Sequence, residues 1–189
     1  MKVTKTQAQE NRTRIVETAS ELFREHGYDG VGVADLMAAA GFTHGGFYKH
    51  FGSKADLMAE ASACGMSQTV ALTGTVDVPG FVRQYLSREH RDARATGCTL
   101  AALGGDAARQ PEAVKATFAA GIEGLLAVLE REDTELDAAD RRKARARRID
   151  TLAHLIGAVV LSRACPDDSP LADEILEVCR AALLAPHMN

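Results

Sequence analysis

The chain has 189 residues, of which 46% are hydrophobic and 25% charged, so we expect one globular domain or two small ones. Its net charge of −4 is not that of a protein that binds nucleic acid over its whole surface. The charge is uneven, however, because residues 1–54 carry a net +1 and the remainder a net −5. Such a head can still bind phosphates locally, since salt screens the acidic body within about 10 Å.

The cysteine pattern excludes two common kinds of site. No C-x-x-C pair and no close cysteine–histidine spacing is formed by Cys64, Cys98, Cys165 and Cys179. We therefore expect neither a disulfide framework nor a metal site, which fits a reducing cytoplasm. The N-terminus lacks the apolar core of a signal peptide, and the apolar run at Leu152–Leu161 is too short to span a bilayer. The sequence thus predicts a cytoplasmic protein without a membrane segment, cofactor or metal.

The first 27 residues show the pattern of one amphipathic helix. Residues of one helical face recur at Ile15, Ala19, Leu22, Phe23 and His26. Gly27 is expected to end this helix, because glycine adopts the backbone conformation of a helix C-terminus at little cost.

Two short helices are predicted next, separated by Gly41-Phe42-Thr43. The first spans Val33–Ala40 and the second His44–His50, which the Thr43 hydroxyl is expected to cap. Phe47 and Phe51 lie one turn apart and should face the core.

The rest of the chain also shows helical periodicity and no convincing strand. Ser53 and Asp56 resemble a capping box and predict the start of a longer helix. After a break at Gly74–Val78, further helices are expected at Pro79–Ser87, Thr99–Arg109, Pro111–Glu132, Ala138–Ala164 and Pro170–Leu184. Three of these begin at a proline, whose missing N–H does no harm in a first turn. We therefore predict an all-α fold.

A helix-turn-helix is the functional hypothesis that the short helices support, with the second helix entering the major groove of DNA. If Phe47 and Phe51 point inward, the outward face consists of His44, Gly45, Tyr48 and Lys49. These residues, with Thr43, can reach phosphates or base edges. Lys54 lies in the first turn of the next helix, where its ammonium and the free backbone amides can meet a phosphate. The alternative is that all of these are ordinary exposed residues of a helical bundle.

The run from Gly41 to Leu57, GFTHGGFYKHFGSKADL, closely resembles the signature of the tetracycline-repressor (TetR) family, roughly AGVSxGxLYxHFxSKExL. The upstream pattern Ala19-x-x-Leu22-Phe23-x-x-x-Gly27-Tyr28 matches too, so the resemblance covers about residues 10–60. It implies that the DNA-contacting positions are Thr43, His44, Gly45, Tyr48, Lys49, His50 and Lys54. One departure is Gly32, which stands where the family usually has a Ser or Thr that caps the second helix and often meets a phosphate.

The resemblance also implies the architecture of the whole chain. A helix-turn-helix head is expected at residues 1–54 and an effector-binding and dimerisation domain at residues 55–189. Such a protein would be a transcriptional repressor that binds a palindromic operator as a homodimer. A small-molecule effector, of electrophilic or oxidant character in one version, would release it by favouring another spacing of the recognition helices. The implied partners are double-stranded DNA, that effector and a second copy, and no membrane.

A further stretch, Tyr85–Asp92 followed by Gly97-Cys98-Thr99, resembles a subgroup of TetR regulators with a Gly-Cys element at a helix start. Some members respond to electrophiles or oxidants through a cysteine. A cysteine at a helix N-terminus is drawn towards the thiolate form by free N–H groups and the helix dipole. The alternative for Cys98 is a small buried residue that fills the domain junction. The other three cysteines are expected to be core residues.

The second half of the chain supplies candidates for an effector pocket and a dimer interface. Inward-facing apolar or amphipathic positions are candidates for the pocket, with core packing as the alternative: Met66, Phe81, Tyr85, Cys98, Leu103, Phe118, Ile122 and His154. Two apolar stripes on the last two helices suit a four-helix interface between two chains, although some of their residues must be buried within one chain. These are Leu152, Leu155, Ile156, Val159, Val160, Ile175, Val178, Cys179 and Ala182.

Two other patterns lead to weaker hypotheses. Arg141–Arg148 has six basic residues in eight and follows the acidic stretch Glu130–Glu135, so charge pairing or a solvated helix face is simpler than nucleic-acid binding. Gly46–Lys54 has the wrong glycine spacing for a phosphate-binding loop, and no strand precedes it. We therefore predict no enzyme and no catalytic residue. The remaining alternative is a helical protein-interaction module without sequence-specific DNA binding.

Overall fold

The computed structural model of the protein describes residues 4–73, 77–128 and 137–185. Within these ranges every regular element is helical, which confirms the predicted all-α fold. In chain order the elements are α1 (Lys5–His26), α2 (Val33–Ala39), a 3₁₀ helix (His44–Lys49), α3 (Lys54–Thr73), α4 (Val78–Tyr85), α5 (Arg88–Asp92), α6 (Thr99–Ala107), α7 (Glu112–Val128), α8 (Ala138–Arg163) and α9 (Pro170–Leu184). None of the helices in these ranges is long and apolar enough to cross a membrane.

Helices α2, α4, α6, α8 and α9 begin and end within two residues of the predicted bounds. Helix α5 was not predicted. Its sequence, Arg-Glu-His-Arg-Asp, has no apolar residue and therefore no periodicity that indicates a helix. It is held by its N-cap, where the Ser87 hydroxyl accepts a hydrogen bond from the backbone N–H of His90 at 3.1 Å. The predicted end of α7 at Glu132, most of the break at Gly74–Val78 and the acidic stretch Glu130–Glu135 lie outside the described residues.

The chain divides into two compact units, of which residues 1–68 with 98–121 form the first and residues 69–97 with 122–189 the second. This division differs from the boundary predicted between residues 54 and 55. The first unit keeps most of α3 because that helix packs into the core of the head. The hydroxyls of Tyr28 and Ser62, both buried, lie 2.5 Å apart across this contact.

The core of the first unit is built on one face of α1. Ile15, Ala19 and Phe23 are fully buried there, whereas Leu22 is half-buried and His26 is exposed at the end of the helix. Gly27 ends α1 with a φ of 75°, as predicted, because only glycine adopts that conformation without strain.

Tyr28 follows that turn and joins the same core. Its ring meets the ring of Phe23 edge-on, with the centroids 5.1 Å apart. Burial raises the pKa of Tyr28 to about 12, so the phenol is neutral at physiological pH and can share its proton with Ser62.

The second unit is organised around the guanidinium of Arg91, which is only 1% exposed. Its Nε donates to Ser162 Oγ at 3.1 Å and its Nη2 to the Ser162 carbonyl at 3.1 Å, which ties α5 to α8. Its Nη1 donates to carboxylate oxygens of Asp92 at 2.5 Å and Asp167 at 2.9 Å. Ser162 in turn donates to the Ala172 carbonyl at 2.7 Å, which extends the contact to α9. The buried charge is thus fully hydrogen-bonded, as burial of a charge requires.

Replacement of Arg91 by methionine should therefore destabilise the protein. The change leaves the buried oxygens of Ser162 without their donor, which should cost about 2 kcal/mol in the free energy of unfolding. Arg88→Met is the matched control, because Arg88 is 38% exposed and pairs with Asp92 and Asp173 at the surface. Urea denaturation at equal protein concentration measures both. A loss for Arg91→Met no larger than that for Arg88→Met would contradict this role.

Candidate nucleic-acid interface

The recognition segment, defined here as residues 43–50, follows a sharp turn after α2. Gly41 has a φ of 81°, and the backbone N–H of Phe42 donates to the Met37 carbonyl at 2.8 Å. Helix α2 therefore ends here, as the glycine predicted. The Gly41-Phe42-Thr43 connection sets the direction in which the next element leaves.

The recognition segment contains a 3₁₀ helix, His44–Lys49, rather than the predicted α-helix to His50. Two adjacent glycines, Gly45 and Gly46, disfavour an α-helix, and short 3₁₀ turns are common as connectors. The predicted hydroxyl cap is also wrong: Thr43 occupies the N-cap position, but its side chain makes no capping hydrogen bond. The Thr43 carbonyl instead accepts from the N–H of Gly46 at 2.9 Å.

Two phenylalanines anchor this short element, as predicted. Phe47 is 1% exposed and Phe51 is 3% exposed, and their ring centroids lie 5.5 Å apart. Burial of two aromatic side chains supplies stability that a single turn of helix lacks.

The opposite face of the recognition segment points to solvent. Tyr48 is 69% exposed, and its ring rests edge-on against Phe47 at 5.2 Å between centroids. A Cβ atom added to Gly45 would meet no atom within 4 Å. The remaining predicted contacts that are exposed are Thr43, His44 and Lys49. The structure thus places five of the seven predicted DNA contacts on one accessible element.

Lys54, which was predicted to contact DNA, already makes a hydrogen bond within the protein. Its ammonium is directed at the end of α1, where it donates to the Tyr28 carbonyl at 2.6 Å, and it lies 5.9 Å from the centre of the Phe23 ring. Its residue is half-buried. At the same helix start the Ser53 hydroxyl accepts from the N–H of Asp56 at 3.1 Å, as the capping motif predicted.

Two arginines of α1 that the sequence analysis did not single out contact the recognition segment or the residues next to it. Arg12 donates to the His50 carbonyl, pairs with the Glu60 carboxylate and stacks over the Phe51 ring at 4.3 Å. Arg14 stacks in the same way over Phe42 at 4.4 Å. No local pattern marks these residues, because the partners of Arg12 lie 38 or more positions further along the chain.

His50 closes the recognition segment and is half-buried. Burial lowers the pKa of its imidazole, and the charges of Arg12 and Lys49 act in the same direction. This shift favours the neutral imidazole in the protein without DNA.

Gly32 occupies the N-cap position of α2, where the family usually has Ser or Thr. It has the extended conformation of an N-cap, with φ of −78°, but no side chain to accept a hydrogen bond. An added Cβ would lie 3.0 Å from Oδ2 of Asp35, whose carboxylate folds back towards this helix start. Helix α2 thus lacks the hydroxyl that would both cap it and meet a phosphate.

The predicted pocket residues divide between the two compact units. Four belong to the first unit and are buried: Met66, Cys98, Leu103 and Phe118. The other four belong to the second unit: Tyr85 is buried, Phe81 and His154 are half-buried, and Ile122 is 37% exposed. Within that unit the rings of Phe81 and Tyr85 lie 5.4 Å apart. No group of three metal-ligating side chains occurs in the described parts of the chain.

The predicted dimer residues on α8 and α9 fall into three classes of burial. Leu152, Leu155 and Val159 are buried within the chain. The half-buried residues are Ile156, Ile175 and Cys179, and the exposed ones are Val160, Val178 and Ala182.

Comparison with known proteins finds similar heads in bacterial regulators. Residues 15–61 match the family model described as bacterial regulatory proteins, tetR family. The HTH-type transcriptional repressor AcnR of Corynebacterium efficiens is 39% identical over 71 residues, which cover 36% of this chain and 38% of that protein. The HTH-type transcriptional regulator AcrR of Shigella flexneri is 40% identical over 57 residues, 30% of this chain and 26% of that protein. This chain thus spans less than half the length of these curated relatives.

A solved structure extends the similarity in fold beyond the head. The reduced form of E. coli NemR superposes with a TM-score of 0.74 over 93% of this chain and 95% of that one, at 17% sequence identity. At this identity the likeness concerns the fold alone. The head of this chain is thus similar to the matched family model, and the all-α fold is similar to that of NemR.

Proposed function

We propose that this protein is a transcriptional repressor that binds operator DNA as a homodimer and is released by a small-molecule effector. The observation that carries the proposal is the exposed face of the recognition segment, held by Phe47 and Phe51 within the stretch that matches the tetR family. The relatives named above are transcriptional regulators, which favours this function over catalysis.

The chemistry of the exposed face fits DNA at two levels. Tyr48 and Lys49 carry donors for phosphate oxygens, and such contacts fix the position of a protein on the duplex. Because Gly45 has no side chain, the backbone near the start of the recognition segment can approach base edges closely. Lys54 would have to exchange the Tyr28 carbonyl for a phosphate, so its contribution to affinity should be smaller than that of Lys49.

A second copy is the expected partner of α8 and α9. Val160 is 44% exposed, Leu161 59% and Val178 61%. Large apolar side chains that remain exposed on two packed helices favour an interaction surface there. Two copies would supply two recognition segments, as a palindromic operator requires.

The effector class that the Gly-Cys element favours is an oxidant or an electrophile. Cys98 is the N-cap of α6, in extended conformation and 3% exposed. An oxidant or electrophile that modifies a cysteine there would shift the equilibrium between two dimer states only if it favours one of them.

Lys49→Ala should weaken operator binding and flatten its salt dependence by about one unit of slope per copy, because each copy loses one phosphate contact. The matched control is Lys143→Ala, which removes an exposed lysine on α8 that pairs with Asp140 at 3.2 Å. Fluorescence anisotropy with duplex DNA from the promoter upstream of the gene, between about 50 and 200 mM salt, measures both variants. If the wild-type dimer bound no duplex at low salt, the DNA-binding proposal would fail and a helical protein-interaction module would remain.

Val178→Asp should dissociate the dimer, since it places a carboxylate from each copy in an apolar interface. Sedimentation velocity at micromolar concentration should show monomers, and operator affinity should fall with them. Val78→Asp is the control, because Val78 is 44% exposed at the start of α4, where an acidic residue suits the helix dipole. A Val178→Asp protein that stays dimeric would place the interface elsewhere.

A further inference from the structure

Arg14 of α1 carries a charge that the described fold does not balance. The residue is exposed, and its guanidinium carbon lies 4.4 Å from the centroid of the Phe42 ring. In the described parts of the chain no carboxylate pairs with this guanidinium, although Glu10 and Glu17 lie about one helical turn away on either side. The Phe42 ring has no oxygen or nitrogen acceptor, so the N–H donors of Arg14 remain available to a partner.

Arg12, two positions earlier on α1, makes a similar ring contact but has its charge balanced. Its guanidinium lies 4.3 Å from the centre of the Phe51 ring. It also donates to the His50 carbonyl and pairs with the Glu60 carboxylate. Arg12 therefore stabilises the head, whereas the contact at Arg14 holds a cation in place without neutralising it.

The Phe42 ring fixes this cation at the start of the recognition segment. Phe42 directly precedes Thr43, and its ring also meets the ring of His50 at the other end of the segment, with the centroids 6.5 Å apart. Arg14 Nη2 lies 3.6 Å from the position that a Cβ of Gly41 would occupy. The guanidinium thus rests against the turn that leads into the recognition segment and flanks that segment.

This arrangement is particular to the present sequence and is not implied by its resemblance to the tetR family. The family signature has valine where this chain has Phe42, and valine offers a cation no aromatic face. Arg14 also lies outside the stretch that matches the family model, which begins at residue 15. The DNA contacts that the resemblance implies run from Thr43 to Lys54 and do not include it.

We propose that Arg14 binds a phosphate of the DNA backbone beside the groove that the recognition segment enters, an inference that rests on the proposed function. An arginine can donate two parallel hydrogen bonds to a phosphate, and such contacts fix the position of a protein on the duplex. The ring of Phe42 holds the side chain before DNA arrives, which reduces the conformational entropy lost on binding. The partner is a phosphate because Arg14 belongs to α1, next to the element that carries the exposed face.

Arg14→Met removes the charge and keeps an apolar side chain over Phe42. Each copy should lose one phosphate contact, so the salt dependence of binding should flatten by about one unit of slope per copy. The affinities for promoter duplex and for a duplex of random sequence should fall by the same factor, because a phosphate carries no sequence information. Arg14→Lys keeps the charge and should keep the slope. Fluorescence anisotropy with DNA from upstream of the gene and with the random duplex measures all of these.

Arg109→Met is the matched control. Arg109 belongs to the same compact unit, its side chain is 70% exposed, and it pairs with Asp106 at 2.7 Å. This variant should bind both duplexes with wild-type affinity and slope. An Arg14→Met protein with unchanged circular dichroism and the wild-type slope would overturn the proposal. A loss confined to the promoter duplex would also overturn it, since that result indicates contact with a base.

Phe42→Val introduces the residue of the family signature and tests the role of the ring. The charge of Arg14 remains, so the slope should stay at its wild-type value. Affinity should fall by about threefold, because the arginine side chain must then be ordered on binding. Arg14→Met should cost less affinity in the Phe42→Val background than in the wild type. Equal costs in the two backgrounds would contradict the role given to Phe42.

Neutral substitutions in the DNA locate the contact. A series of promoter duplexes, each with one methylphosphonate in place of a phosphate, removes the backbone charges one at a time. The wild type should lose affinity at a set of positions, and Arg14→Met should be insensitive at one of them in each half-site. Arg109→Met should show the wild-type pattern.

The wild-type protein separates this inference from the proposed function. If it binds no duplex at low salt, the proposed function fails, and the Arg14 contact fails with it. If the wild type binds and Arg14→Met shares its slope and its methylphosphonate pattern, the inference about Arg14 alone fails.

Discussion

The recognition segment has six helical residues and two glycines, and an element of that size is not stable by itself. Its position depends on the burial of Phe47 and Phe51, which fix one side of the turn in the core. Arg12 completes the support, since it joins the His50 carbonyl, the Phe51 ring and the Glu60 carboxylate in one contact. These contacts and the turn at Gly41-Phe42-Thr43 together fix the orientation of the exposed side chains of the recognition segment.

Each compact unit also contains a buried arginine, and the two are compensated in different ways. Arg91 in the second unit donates to carboxylates of Asp92 and Asp167 and to the Ser162 oxygens, so its charge is balanced within the fold. Arg24 in the first unit donates to the hydroxyls of Ser20 and Thr99, and burial lowers its pKa while Glu21 acts to raise it. The first arrangement joins α5, α8 and α9, whereas the second places a guanidinium between α1, the backbone of α3 at Gly65 and the start of α6.

Local patterns were sufficient to predict the fold and the face of the candidate site. Prolines and apolar periodicity predicted helix α9 with its observed bounds, and the one-turn spacing of Phe47 and Phe51 predicted which face is buried. Helix α5 could not be predicted, because it depends on one capping hydroxyl at Ser87 and has no apolar face. The recognition segment forms a 3₁₀ helix because its two glycines disfavour an α-helix while the burial of Phe47 and Phe51 holds it in place. A short sequence pattern cannot predict the result of these two effects.

Local patterns could not predict contacts between residues that are far apart in the sequence. Arg12 and Arg24 look alike on the helical wheel of α1, as polar residues near an apolar stripe. Only the packed structure shows that one stacks on Phe51 and that the other is buried against Gly65 and Thr99. The inward direction of Lys54 was missed for the same reason, since its acceptor is a carbonyl 26 residues earlier.

Under the proposed function, the empty space beside Gly45 has a consequence for the evolution of operator preference. Its backbone has no positive φ, and an added side chain would meet nothing within 4 Å, so folding places no limit on the residue at this position. Under the proposed function, any limit comes from the bound duplex. A library of all residues at position 45, sorted once for soluble yield and once for promoter occupancy, would therefore separate the demands of the fold from those of the DNA. Tolerance in the first sort with selection in the second would make this position a natural point at which related repressors diverge in the sites they read.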